Sequence, residues 1–254
     1  MEVHPHGHVH EEKKWKEYVF QFIMLFLAVF LGFLTENFRL QSEEKKREKD
    51  YIGSLIVDLA IDHASISIVK DKLSDQIRAF DSLQTMFNTV DLKYNAQAIY
   101  NCYYYSSYLQ ISFPVNFNER TITQLLSSGN MRLLKTRAAA DSVTDYFNLV
   151  KDAEAQKQMY VDHVDKCMES MYDIYDINYL RRRVTDRDSL IFVNSDWSNL
   201  QLLSTDPVEI KKLIARLEET KLIIQGYKLY LNIIDARCLQ LGDFLSKEYH
   251  LKNT

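Results

Sequence analysis

The chain has 254 residues, 46% of them hydrophobic and 26% charged, with a net charge of −4 and a pI near 6.0. That is enough apolar material for a core, and there is no basic excess to neutralise phosphates, so nucleic acid is not expected as a partner. Six Gly and three Pro imply few turns and long elements.

The N-terminal tail, residues 1–17, carries His4, His6, His8 and His10 at alternate positions. Pro5 disfavours helix, and an extended backbone puts all four imidazoles on one side, where they can ligate Zn, Ni or Cu. The tail is able to bind metal but is not evidently built for it, since its composition reads more simply as a solvated tail that binds metal weakly and incidentally. Tyr18 to Thr35 is a run of 18 residues without a formal charge. At ~1.5 Å per residue it covers roughly 27 Å, the thickness of a hydrocarbon core. No small-residue cleavage site follows, so an uncleaved transmembrane helix is expected over 18–35.

Sidedness rests on two opposed counts. Lys13, Lys14 and Lys16 sit at the edge of the span, whereas Arg39, Lys45, Lys46, Arg47 and Lys49 follow it at a greater distance. The plain count favours a cytoplasmic body and proximity favours an extracytoplasmic one; the second reading is adopted. Inside the span, Ala28 and Gly32 form a small-xxx-small pair that permits close helix approach.

Residues 36–51 form a charged helical stalk, with Glu43 at salt-pair spacing from Lys46 and Arg47. The body, 52–254, opens with apolar residues every seven positions: Ile52, Leu59, Ile66, Leu73, Phe80 and Phe87. Leu55, Val69, Leu83 and Val90 add a second row, which together make a bundle seam. The section Asn95 to Lys135 reads as irregular. It contains "YNCYYYSSYLQ", a loop at Pro114 and a short helix near Glu119 to Ser127, ended by Gly129-Asn130 in the left-handed way. Its aromatics can line a groove or cap the bundle end.

Thr136 then caps a long helix expected to run from Arg137 to about Leu180, with Val143, Phe147, Val150, Val161, Val164, Met168, Met171 and Tyr175 inward. This helix is expected to return toward the stalk, bringing Arg181, Arg182 and Arg183 near anionic headgroups. In the connector, "LIFV" has the composition of a short strand. Asp206, Pro207 and Glu209 make a strong helix start, and Ile210, Leu217, Ile224, Leu231, Cys238 and Leu245 repeat at sevens after it. The expected fold is all-α: one N-terminal transmembrane helix continuing into an elongated antiparallel bundle.

The blocks "KWKEYVFQFIMLFLAVFLGFLTENFR", "EKDYIGSLIVDL" and "LLSSGNMRLL" resemble an uncharacterised family of single-span membrane proteins of Bacteroidota-type bacteria, whose members often begin with a His-rich tail. The resemblance implies a bacterial inner-membrane location. It carries no activity and transfers no catalytic residue.

No Gly-rich phosphate loop, HExxH or G-x-S-x-G occurs, so neither an enzyme nor a cofactor is expected. His163 and Cys167 are four apart, a spacing that can hold a metal and equally suits a buried thiol beside a surface imidazole. A polar layer is expected where the seams falter: Asp62 and His63 on the first body helix, Glu154, Lys157 and His163 on the returning one, Thr220 and Lys221 on the last. In an antiparallel bundle these meet at one level, with Asp62 paired to Lys221, and either fix register or form a pocket.

The functional expectation is a membrane-anchored, non-enzymatic interaction or sensory-type module. The alternatives are an accessory subunit of a transport or secretion assembly and a receptor binding a small ligand between helices. The expected partners are the lipid bilayer and either a second copy or a separate membrane protein. Self-association is read from Ala28/Gly32 and from the row Ile52 to Phe87.

Overall fold

The computed structural model describes residues 12–93, 95–127, 129–176 and 200–251. It is all-α; the described residues contain five α-helices and two short 3-10 turns, and no strand. Helix α1 runs Glu12–Thr89, α2 Ala96–Ser106, α3 Arg120–Ser127, α4 Arg137–Met171 and α5 Pro207–Glu248. The chain divides into two compact units, Met1–Tyr51 and Ile52–Thr254.

In the first unit an 18-residue stretch of α1 has a mean hydropathy of 2.2, and none of it is buried. This helix is long and apolar enough to cross a membrane. Arg39 lies between Glu36 and Glu43 on the charged turns that follow, pairing with both.

The second unit has one core. On α1, Ile52, Leu59, Ile66, Leu73 and Phe80 are buried, as are Leu55 and Leu83. The seven-residue row is thus used inside the chain's own bundle, and it is not a free seam for pairing copies. Helix α5 buries two interleaved rows, one through Leu217, Ile224, Leu231, Cys238 and Leu245, the other through Leu213, Thr220, Tyr227, Ile234 and Leu241. Its start is as expected: Asp206 accepts from Val208 N at 2.8 Å and Pro207 takes the first position, where no N–H is needed. Thr136 likewise accepts from Ala139 N at 3.2 Å to open α4.

Three expectations need correction. The tyrosine-rich segment is helical, not irregular: Asn95 caps α2 by accepting from Ala98 N at 3.0 Å. Helix α4 stops at Met171, short of Leu180. It also runs in the opposite sense to the one expected. Asp62 meets Tyr146 and Gln76 meets Tyr160, so residue numbers rise together along α1 and α4, and the two helices are parallel. The descending stave is instead the middle segment: Gln76 reaches Tyr108 and Ile111, Asp62 reaches Asn118, and Asp58 reaches Thr121. Helix α5 descends as well, since Cys238 meets Leu59 while Lys221 meets Asp81. The order is therefore up (α1), down (α2, an extended strap and α3), up (α4), down (α5). The C-terminus of α4 lies with Phe87, whose ring packs edge-on against Tyr175 at 6.5 Å. A return of α4 to the first turn of the body is overturned; Arg181, Arg182 and Arg183 themselves lie outside the described residues.

Candidate functional site

The distinctive feature of the body is the strap between α2 and α3, residues 110–119, which has no regular secondary structure yet runs against buried side chains. A non-helical backbone inside a bundle needs partners for its N–H and C=O groups. Here each long helix supplies them. Gln76 of α1 donates to Tyr108 O at 2.8 Å and Ile111 O at 2.9 Å. Tyr160 of α4 accepts from Phe113 N at 2.9 Å, and Tyr227 of α5 accepts from Val115 N at 3.0 Å. Asp62 of α1 accepts from Asn118 N at 2.7 Å. Alternating residues 113 and 115 point their N–H groups into the bundle, as an extended chain must.

These polar groups support one another. Tyr160 donates to Gln76 Oε1 at 2.8 Å, and the Tyr160 and Tyr227 rings stack at 5.3 Å. Burial raises both phenols above their ordinary range. Below them, Asp58 closes the strap onto α3. Its carboxylate accepts from Asn118 Nδ2 at 2.8 Å, Arg120 at 3.2 Å and Thr121 N at 3.2 Å, and from the Thr121 hydroxyl. Asp58 thereby caps the first turn of α3 from another helix.

Asp62 is 2% exposed and also accepts from the Tyr146 hydroxyl at 2.8 Å. Burial raises its carboxyl above the ordinary 3.8, with the neighbouring charges of Asp58 and Glu119 adding to the shift against the hydrogen bonds from Asn118 and Tyr146. Folding therefore takes up a proton between pH 3.8 and the raised value. Stability falls as pH rises through that window, and the penalty is complete above it. Asp62→Asn keeps an acceptor for Asn118 N and removes the charge. Its urea midpoint is expected to gain on that of the parent as pH rises from 3.8. Parallel pH profiles for the two proteins would remove the buried-charge account.

The anticipated single polar layer is two levels. The upper one joins Lys221 to Asp81 at 2.5 Å and Glu218 at 3.1 Å, with Gln84 beside them. Thr220 and His163 share it: Thr220 lies 3.1 Å from Cys167 Sγ, and His163 Nε2 lies 3.5 Å from Glu219. The lower one holds Asp62, and His63 bonded to Asp235 at 2.6 Å with Lys70 on the other oxygen at 3.2 Å. Asp62 and Lys221 do not pair. On α1, Asp62 and Asp81, the partner of Lys221, are about five turns apart, roughly 27 Å, because α5 descends alongside α1 and does not rise to end at the distal tip. Glu154 and Lys157 form their own pair at 2.9 Å.

His163 and Cys167 are not brought together as ligands. His163 Nδ1 bonds Met159 O at 2.7 Å, while Cys167 is buried against Thr220 and its thiol is raised by burial. No group of three or more His, Cys, Asp or Glu side chains arranged to hold a metal occurs among the described residues. His4, His6, His8 and His10 lie outside the described residues, as does "LIFV". Within the tyrosine cluster Tyr103 is a fastener: it is buried, donates to Gln201 O at 2.9 Å and accepts from Asp176 N at 3.0 Å.

Sequence reasoning found Asp62 but missed Asp58, Gln76, Tyr146, Tyr160 and Tyr227. A signal was present. Ala139, Tyr146, Ala153, Tyr160 and Cys167 recur every seven residues and are all buried, and a tyrosine in a core row implies a partner for its hydroxyl. The arrangement binds backbone, not a solvent-facing ligand. Compared with protein-family models, with curated proteins and with solved structures, the chain matches none.

Proposed function

We propose that this protein is a membrane-anchored, non-enzymatic helical interaction module. The observation that carries the anchor is the uncovered apolar stretch of α1, where Phe20, Phe22, Leu25, Phe26, Val29 and Phe33 are each more than half exposed. Side chains of this kind are stable in hydrocarbon and costly in water, at ~25 cal/mol per Å2. The interaction role is supported by how the body uses its polar interior. Asp58, Asp62, Gln76, Tyr146, Tyr160 and Tyr227 are committed to the strap or to one another, which leaves surface, not an interior cleft, as the means of recognition.

Following the family resemblance, the location proposed is a bacterial inner membrane, with the body on the extracytoplasmic side. Full-length protein is expected to stay with membranes through alkaline carbonate washing and to be released by detergent. Deleting residues 18–35 is expected to move it to the soluble fraction. Carbonate release of the intact chain would sink the anchor. For sidedness, an impermeant thiol label read on a Cys added at the C-terminus is suited to this chain, since Cys102, Cys167 and Cys238 are all buried. Labelling in intact cells places the body outside, and labelling only after lysis places it inside.

A further inference from the structure

Asp62 lies on α1 beneath the strap, 2% exposed, and no ion pair among the described residues includes it. The charges that face it give no relief. Asp58 is one turn below on α1 and Glu119 follows Asn118 at the end of the strap, and both are acidic. The cations nearby are held by other carboxylates: Arg120 by Asp58, Lys151 by Glu119, His63 and Lys70 by Asp235, and Arg237 by Asp145. A buried carboxylate without a cation is costly in its ionised form, so this position favours the neutral acid.

A neutral acid has a requirement of its own. Its hydroxyl must donate, yet the two groups on the Asp62 carboxylate, Asn118 N and the Tyr146 hydroxyl, are themselves donors. The core holds an answer. Cys238 of α5 is within hydrogen-bonding reach of the Tyr146 phenol, and it donates its own proton to Leu59 O at 2.9 Å. Burial, with the Asp62 charge beside it, pushes this thiol up to about 12, so it keeps that proton. Sulfur accepts weakly while it donates. With Asp62 ionised, Tyr146 donates to the carboxylate. With Asp62 protonated the direction reverses: Asp62 donates to the Tyr146 oxygen and Tyr146 donates to Cys238 Sγ. Asn118 N keeps its acceptor in both arrangements, and neither strands a donor.

We propose that Asp62, Tyr146 and Cys238 form a proton-operated latch for the strap, which grips when Asp62 carries a proton and loosens when it does not. The inference goes beyond the interaction-module reading and does not depend on it. The proton comes from solvent and returns to it, because buried Asp62 meets water only when the strap lifts from Asn118 inward. A lifted strap leaves a solvated carboxylate at the ordinary 3.8, whereas the closed strap raises it. The lifted fraction is therefore smallest below pH 3.8. It climbs by up to about tenfold per pH unit through the window that ends at the raised value, and is level above it. Asp58 keeps its hold on Thr121 throughout, so lifting centres on residues 113–118.

The test uses the full chain in mild detergent. Val115 is 1% exposed in the strap, so Val115→Cys gives a thiol that reacts only when the strap lifts. Dithiodipyridine labels thiols in mild acid, and mass spectrometry reads the label at 115 apart from the three native cysteines. At low reagent the rate follows the lifted fraction. Dividing it by the rate of the same chain carrying Asp62→Asn cancels the titration of the thiol itself. This ratio is expected to rise by up to about tenfold per pH unit from 3.8 and then level. With Cys238→Ala in both chains, Tyr146 loses its acceptor in the protonated arrangement, and the ratio should level at a lower pH. Cys238→Ser should restore the parent profile. A ratio that stays flat with pH overturns the latch. A profile untouched by Cys238→Ala overturns the reversing chain and leaves burial alone. Should Asp62→Asn fail to fold, amide exchange of the parent decides: protection at 113–118, corrected for intrinsic exchange, falls with rising pH under the latch, and constant protection there overturns it.

Discussion

Asp58→Ala is expected to destabilise the body by about 3–5 kcal/mol in urea denaturation. The Asp58 side chain is 1% exposed and serves donors on three successive parts of the chain: Asn118 at the end of the strap, Arg120, and Thr121 in the first turn of α3. Arg120 is 65% exposed and regains water when the carboxylate is removed. Thr121 is 1% exposed, and its N–H and hydroxyl have no such recourse. Each buried donor left unsatisfied costs about 1–3 kcal/mol, and α3 loses the group that caps it. Asp58→Asn is expected to lose less, since one oxygen remains to face Thr121 and the Asn118 amide can turn to meet the new NH2. Amide exchange should rise first at residues 113–121 in the alanine variant. A urea midpoint within experimental error of the parent would show that the strap is held without this latch.

Gln76→Leu is the second large effect, a loss of about 2–4 kcal/mol. By hydrophobicity alone the change should stabilise, because position 76 is 0% exposed in the middle of an apolar seam. The structure reverses that sign. Gln76 is the donor to two strap carbonyls, Tyr108 O and Ile111 O, and the acceptor for the Tyr160 hydroxyl. Leucine has nearly the same volume and none of these capacities, so it leaves two carbonyls and a phenol proton in a dry core. Tyr160→Phe in the same background separates the contributions. Because the two residues share a hydrogen bond, the double variant should cost less than the two single losses added together. A Gln76→Leu protein at least as stable as the parent would mean that the strap lies outside the core in solution.

Much of the architecture was readable from local chemistry. The heptad row from Ile52 to Phe80 is a core row because burying every seventh side chain on a helix makes a continuous stripe. Asp206-Pro207 and Thr136 start helices for reasons contained in a few residues. Gly129 at φ 65° marks the turn after α3 because glycine adopts the left-handed region without a Cβ penalty. The long α5 follows from 42 residues without an internal proline.

The tyrosines show where that reading stops. Tyr146, Tyr160 and Tyr227 fall on seven-residue rows of their helices, yet a phenol suits a surface, a groove or a satisfied core equally well. What decides is whether a backbone N–H lies opposite, and that depends on residues 113 and 115, far away in sequence. The direction of α4 has the same character. A helix pattern is nearly identical read up or down, so periodicity cannot say whether α4 ascends or descends. The segment 96–127 lacks a sustained helical period, and a bundle read without it as a stave gives both α4 and α5 the wrong sense and merges two polar levels into one.

The sequence by itself determined the helical class, the apolar stretch of α1, the caps and the core rows, because each depends on neighbours within one or two turns. Only the tertiary structure decided that an extended strap forms the second stave, that α4 runs parallel to α1, and that Asp58, Asp62, Gln76, Tyr160 and Tyr227 converge on it. The physical reason is that unsatisfied backbone groups are paired across the fold, where partners lie between 32 and 112 positions apart. It likewise decided which apolar stripes are covered. The row Ile52, Leu59 and Ile66 is buried while Val57, Ile61 and Ile68 on the same helix are exposed, and burial by α4, α5 and the strap is what tells core from surface.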